Sequence, residues 1–173
     1  MKLPVVSIVA KSGTGKTTLL EKLIPELKRR GYRVGTLKHD AHQFDIDREG
    51  KDSWRLTQAG ADTMLISSPA KVAMVRQNPE GREPDVEALA SAYFHDVDIL
   101  LTEGFKKSGF PKIEVHRQAR SPELMCRGKE KDPALIAVAS DTLTDKKTEL
   151  DVPVFDINAA SEICDFIEAE FLS

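Results

Sequence analysis

The chain has 173 residues, 40% of them hydrophobic and 31% charged, with a net charge of −3 and a pI near 5.8. This is the mix of a soluble, cytoplasmic globular protein, expected to form a single domain over residues 1–173. It excludes an overall basic nucleic-acid footprint, and no apolar run reaches the roughly 20 residues of a membrane span.

Val5–Val9 is an apolar, β-branched run suited to a strand buried on both faces. The first residues superficially resemble a signal peptide, but the run is too short and enters a glycine loop directly. Residues 16–30 carry a helical stripe of Leu19, Leu20, Leu23, Ile24 and Leu27. Gly31 ends that helix after a basic last turn, and Pro25 is expected to kink it. Residues 33–38 read as a second strand, 39–51 as an acidic loop, and Asp52–Gln58 as a short helix closed by Gly60. Thr63–Ser67 and residues 71–76 form a predicted hairpin around Ser68, Pro69 and Ala70. A turn-rich loop follows at 78–84, then a helix capped by Asp85 and running to Phe94. Strands are expected at 97–102, at Lys112–His116, at 135–139 and at 152–155. Asn158 is placed to cap a last helix, 159–172, with Ile163, Phe166, Ile167 and Phe171 inward. The alternation predicts a three-layer α/β domain with a mostly parallel sheet and an antiparallel edge hairpin. Cys126 and Cys164 fit no metal-ligand spacing and read as two reduced cysteines.

The strongest chemical signal is Ala10-Lys11-Ser12-Gly13-Thr14-Gly15-Lys16-Thr17-Thr18. It has the spacing of a phosphate-binding loop between a strand and a helix, with Ala10 at the first glycine position. Phosphates need several backbone N–H groups in one concavity and a helix N-terminus aimed at them. Gly13 and Gly15 permit that backbone. Ser12, Thr14 and Thr18 complete the cradle, Lys16 supplies a charge to the β- and γ-phosphates, and the Thr17 hydroxyl is a ligand for Mg²⁺. A second signal is the apolar strand ending in Thr102-Glu103-Gly104. Ligands bind at the carboxyl ends of parallel strands, so Glu103 is expected on the metal side, the alternative being a solvated strand-end acid. Asp98 lies at the other end of that strand and is discounted. The third signal follows the second strand: Asp40 is a candidate to position a water or reach the metal through one, and His39 with His42 is a weaker transition-metal pair. The alternative for the whole stretch is a solvated loop. The fourth is Asp141, which ends another apolar strand. A carboxylate there can accept the paired N–H donors of guanine, a pair adenine lacks; a plain loop Asp is the alternative. No glutamine or arginine finger for hydrolysis is identifiable.

Together the loop, Lys38-His39-Asp40, Gly50-Lys51-Asp52-Ser53, Ala59-Gly60-Ala61, Thr102-Glu103-Gly104-Phe105-Lys106 and Pro111-Lys112-Ile113-Glu114-Val115 resemble the MobB family of molybdopterin-guanine dinucleotide biosynthesis proteins. The resemblance covers nearly the whole chain, least clearly at 77–96 and 118–133. It implies the P-loop NTPase fold and a GTP-binding, weakly GTP-hydrolysing cytoplasmic protein, often a homodimer. Its implied partners are the MobA-type guanylyltransferase that attaches GMP to the molybdenum cofactor, and molybdopterin itself. On that reading Lys16, Glu103 and Asp40 serve catalysis and Thr17 with Glu103 holds Mg²⁺. A small-molecule kinase or ATP-dependent ligase of the same architecture is the competing reading. A scaffold with a vestigial loop fits poorly, because Lys16 and Thr17 are both intact.

Overall fold

A computed structural model of the protein describes residues 2–40, 44–78, 84–128, 131–142 and 150–173. In chain order its elements are β1 (Val5–Val9), α1 (Lys16–Arg29), β2 (Val34–Lys38), α2 (Asp52–Gln58), β3 (Thr63–Ser67) and β4 (Val72–Arg76), followed by α3 (Val86–Tyr93), β5 (Ile99–Glu103), β6 (Lys112–His116), β7 (Leu135–Ser140), β8 (Val154–Asp156) and α4 (Ala160–Phe171). They divide into two compact units, one of the residues up to His39 with Ala90–Ser173, the other of Asp40–Leu89.

The first unit is built on a six-stranded sheet in the order β2-β5-β1-β6-β7-β8. Every pairing in it is parallel. All five residues of β1 are buried, as its apolar sequence requires when both sheet faces are covered. Val6, Ile8, Leu101, Ile113, Val115 and Ala137 pack on one face against Leu19, Leu23 and Leu27 of α1 and Ile163 and Ile167 of α4. On the other, Val9, Val138 and Val154 meet Leu124, Cys126 and Leu135. Because the strands are parallel, the loops after β1, β2, β5, β6 and β7 open on one edge, where ligands of such sheets bind.

Helix α1 continues through Pro25, which lies on its exposed side. It ends as the glycine predicts. Gly31 sits at φ 97°, its N–H donates to the Lys28 carbonyl, and Tyr32 N–H donates to that of Leu27. This satisfies two carbonyls that a helix end leaves open. Arg30 then clamps α1 to α4 through Asp165 at 2.6 Å and Glu168 at 2.8 Å. Asn158 does not cap α4. Its side-chain oxygen accepts from Lys22 Nζ at 2.9 Å, and the helix starts after Ala159 with no side-chain cap. Asp85 does cap α3, accepting from Ala88 N–H at 2.7 Å. Strand β5 begins later than its apolar run because Asp98 is engaged by Arg33, whose backbone and side chain both donate to it. Burial pushes the thiols of Cys126 and Cys164 up to about 12 and about 11. Both are free and buried.

In the second unit α2 lies against β3. β3 and β4 pair antiparallel as the hairpin signal predicts, and they form a two-stranded sheet of their own. Most of the 78–84 loop lies outside the described residues.

One glycine of the first unit is fixed by packing. A Cβ on Gly35 would meet Phe94 Cδ1 at 2.6 Å and Val97 Cγ2 at 3.2 Å. Alanine in a strand gains up to about 1 kcal/mol over glycine in backbone entropy, but overpacking of this kind costs about 1–3 kcal/mol. Gly35→Ala is therefore expected to lower the urea midpoint, and the double variant with Phe94→Leu to recover part of the loss. A midpoint that rises in the single variant would show that the ring yields freely.

Candidate phosphate-binding site

The loop between β1 and α1 has the backbone an anion cradle needs. Gly13 and Gly15 adopt φ 71° and 105°, conformations that side chains disfavour. Gly15 is the N-cap of α1, and no side chain caps that helix. The first N–H groups of α1 thus point out of the loop without a side-chain acceptor, at the positive end of the helix dipole. Thr14 is buried and folds the loop on itself, its hydroxyl donating to the Lys11 carbonyl at 2.8 Å. Ser12, Thr17 and Thr18 are exposed and Lys16 half-buried. The Lys16 ammonium is held below its usual value first by burial; Glu103 opposes this, and Lys106 and Lys38 add to it. Cations crowded around one carboxylate favour a polyanionic ligand.

Glu103 stands at the carboxyl end of its strand, beside the glycine loop. Closing β5 in register with Ile8 of β1, it accepts the Thr17 hydroxyl at 2.9 Å. The chain then turns sharply, with Gly104 at φ 98° and Phe105 at φ 51°. Phe105 is in the left-handed region that non-glycine residues seldom occupy. Its ring lies 5.1 Å from that of His39, and a Cβ on Gly104 would come within 3.2 Å of His39 Cβ. The turn brings Lys106 into electrostatic range of Lys16. Two hard oxygen donors side by side suit Mg²⁺, whose other positions are ordinarily filled by phosphate and water. Among the described residues no cluster of three His, Cys, Asp or Glu side chains could hold a metal. Asp40 is the exposed first residue of the second unit, and His42 lies outside the described residues.

The structure adds residues that the sequence reading passed over. The chain leaving β6 turns at 117–121 beside the phosphate loop. Arg117 Nε donates to the Thr14 carbonyl at 3.0 Å and would lie 3.7 Å from a Cβ on Gly15. Arg120 Cζ would lie 3.8 Å from a Cβ on Gly13. Lys11 points away from the cradle and donates to Ser121 Oγ at 2.6 Å. Buried His116 bridges Ser140 Oγ and the Ser121 carbonyl, each at 3.0 Å. Asp141 belongs to the same cluster, accepting from Gln118 N–H at 3.2 Å and facing Arg117 at 3.5 Å. The rule that nominated Glu103 and Asp141, a carboxylate closing an apolar strand, passes over Arg117, because β6 reads Lys112-Ile113-Glu114-Val115-His116 and is not an apolar run.

A parallel sheet with a glycine loop running into α1, and a strand-end carboxylate on the loop's threonine, define a protein of the P-loop NTPase fold. The chain belongs to a particular family within it: the profile described as molybdopterin guanine dinucleotide synthesis protein B matches residues 5–141. The molybdopterin-guanine dinucleotide biosynthesis adapter protein of Escherichia coli is 40% identical over 95% of this chain and 91% of its own. That of Haemophilus influenzae is 39% identical over 96% and 89%. A crystal structure of a molybdopterin-guanine biosynthesis protein B is 30% identical, covers 95% of this chain and 98% of its own, and superposes with a TM-score of 0.73.

Proposed function

We propose that this protein is a GTP-binding adapter in molybdopterin-guanine dinucleotide biosynthesis, a homodimer that hydrolyses GTP slowly. The observation that carries the nucleotide reading is the Thr17–Glu103 hydrogen bond at 2.9 Å, set beside the uncapped N-terminus of α1. The biosynthetic role is supported by the names of the relatives. On the same support, the partner is the MobA-type guanylyltransferase, with molybdopterin as the further ligand. No helix among the described residues is long and apolar enough to cross a membrane, and the cytoplasm is the proposed workplace.

The chain's own groups divide the task by position. The N–H groups of residues 13–17 hold the phosphates, and Lys16 neutralises the β- and γ-oxygens. Thr17 and Glu103 would hold Mg²⁺, which supplies charge neutralisation to the phosphates when bound. Asp141, which meets Gln118 N–H and Arg117, would accept the N1–H and amino donors of guanine. Asp40 would position water. The proposed dimer forms through the hairpin, where Leu65 and Val72 are 58% and 62% exposed. The register sets both on one face together with Met74. An apolar hairpin face with open strand edges is a natural pairing surface for a second copy.

Three outcomes are expected. In calorimetric titrations Lys16→Ala loses GTP binding, while Glu103→Gln loses Mg²⁺-dependent more than metal-free binding; wild-type affinity in Lys16→Ala would remove the site, and transfer of the γ-phosphate to a metabolite rather than water would favour a kinase. Competition of GTP, ATP and XTP against a fluorescent GTP analogue should show a preference for GTP over ATP, since a carboxylate accepting two guanine donors makes charge-assisted hydrogen bonds that adenine cannot offer. Asp141→Asn should erode that preference and gain relative affinity for XTP, and an unchanged ranking would remove Asp141 as base reader. Sedimentation at micromolar concentration should give a dimer that Leu65→Glu dissociates; a monomeric wild type excludes it.

A further inference from the structure

The sheet order fixes which end of a bound nucleotide faces which strand. β5 lies on one side of β1 and β6 on the other. Glu103 closes β5 and holds Thr17, so the metal side is the β5 side. A divalent ion bound with a nucleoside triphosphate bridges its β- and γ-phosphates. On the nucleotide-binding reading, a triphosphate whose metal is held by Thr17 and Glu103 would turn its γ-phosphate toward β5 and its nucleoside end toward β6 and β7. That second flank is where the 117–121 turn stands.

The turn is built to hold position. Arg120 N–H and Ser121 N–H both donate to the Arg117 carbonyl, at 2.9 and 3.1 Å. His116 fixes the Ser121 carbonyl, Lys11 of the phosphate loop fixes the Ser121 hydroxyl, and Asp141 fixes Gln118 N–H. His116 and Ser121 are buried, 2% and 7% exposed, so the turn is anchored from within. Arg117 adds a fourth tie, to the Thr14 carbonyl. Its charge is met by Asp141. Arg120 is exposed, lies over Gly13 in the cradle, and has no carboxylate partner among the described residues. A guanidinium offers planar, paired donors that match phosphate oxygens, which makes it well suited to such a place.

We propose that Arg120 binds the nucleoside-side phosphates of the nucleotide, that Arg117 positions it, and that neither acts on the γ-phosphate. This inference rests on the nucleotide-binding reading above. It makes diphosphate and triphosphate equal beneficiaries of Arg120 and gives this turn no part in cleavage.

The test is calorimetric titration of wild type, Arg120→Ala and Arg120→Lys with GDP and with GTP, alongside phosphate release at saturating GTP. Arg120→Ala is expected to lose about tenfold or more in affinity for both nucleotides, as removal of a charge-assisted contact does. Its release rate at saturation should stay within about twofold of wild type, because a contact equal in ground and transition states does not alter the chemical step. Arg120→Lys should recover part of the affinity. Wild-type urea midpoints in both variants certify the fold. Normal GDP affinity with slowed release at saturating GTP would overturn the proposal and make Arg120 a γ-phosphate residue. Unchanged affinities would overturn it and leave a surface arginine. A wild type that binds neither nucleotide would overturn the underlying reading, and the wild-type titration alone reports that outcome.

Discussion

The site depends on a helix that begins without a side-chain cap. Any α-helix leaves its first backbone N–H groups without intrahelical partners, and most sequences spend a Ser, Thr, Asp or Asn side chain on them. Here the capping position is Gly15, at φ 105°, with no side-chain bond. The unmet hydrogen bonds become tolerable when an anion fills the concavity, and the rest of the first unit holds the loop in that form. Thr14 is buried to lock the turn, Lys11 is diverted sideways to Ser121, and β1 is covered on both faces so the loop has a rigid base.

Charge around the loop is divided by strand. Lys38 and Lys106 influence Lys16 from the β2 and β5 side, together with Glu103. The arginines and Asp141 stand on the β6 and β7 side. Three point-charge ammonium groups gather near Glu103, while forked guanidinium groups stand on the opposite flank of the loop.

Much of this was legible along the chain because the signals are local. Glycine spacing, an apolar run ending in Glu103, and Gly31 and Gly60 as helix stops all act within a few residues of themselves, and the structure shows the positive-φ backbone, the strand end and the helix ends they predict. The misses come from partners distant in sequence. Asn158 has the chemistry of a cap, but Lys22 of α1 takes its oxygen. The apolar run before Glu103 starts earlier than β5 because Arg33 claims Asp98. Arg117 and Arg120 carry no motif; their meaning arises only when β6 is laid beside β1, more than a hundred residues away in the chain. Periodicity cannot announce such a neighbour.

The pairing of β2 with β5 has one more consequence. These strands are adjacent and in register from Val34 with Ile99 to Lys38 with Glu103, yet the whole Asp40–Leu89 unit is strung between them. To the sheet, that unit is a closed loop of chain. The entropy of closing a flexible loop grows only as the logarithm of its length, about 0.6 kcal/mol for each doubling. For a flexible connection of this kind, closure alone sets only a weak limit on the length of chain between β2 and β5.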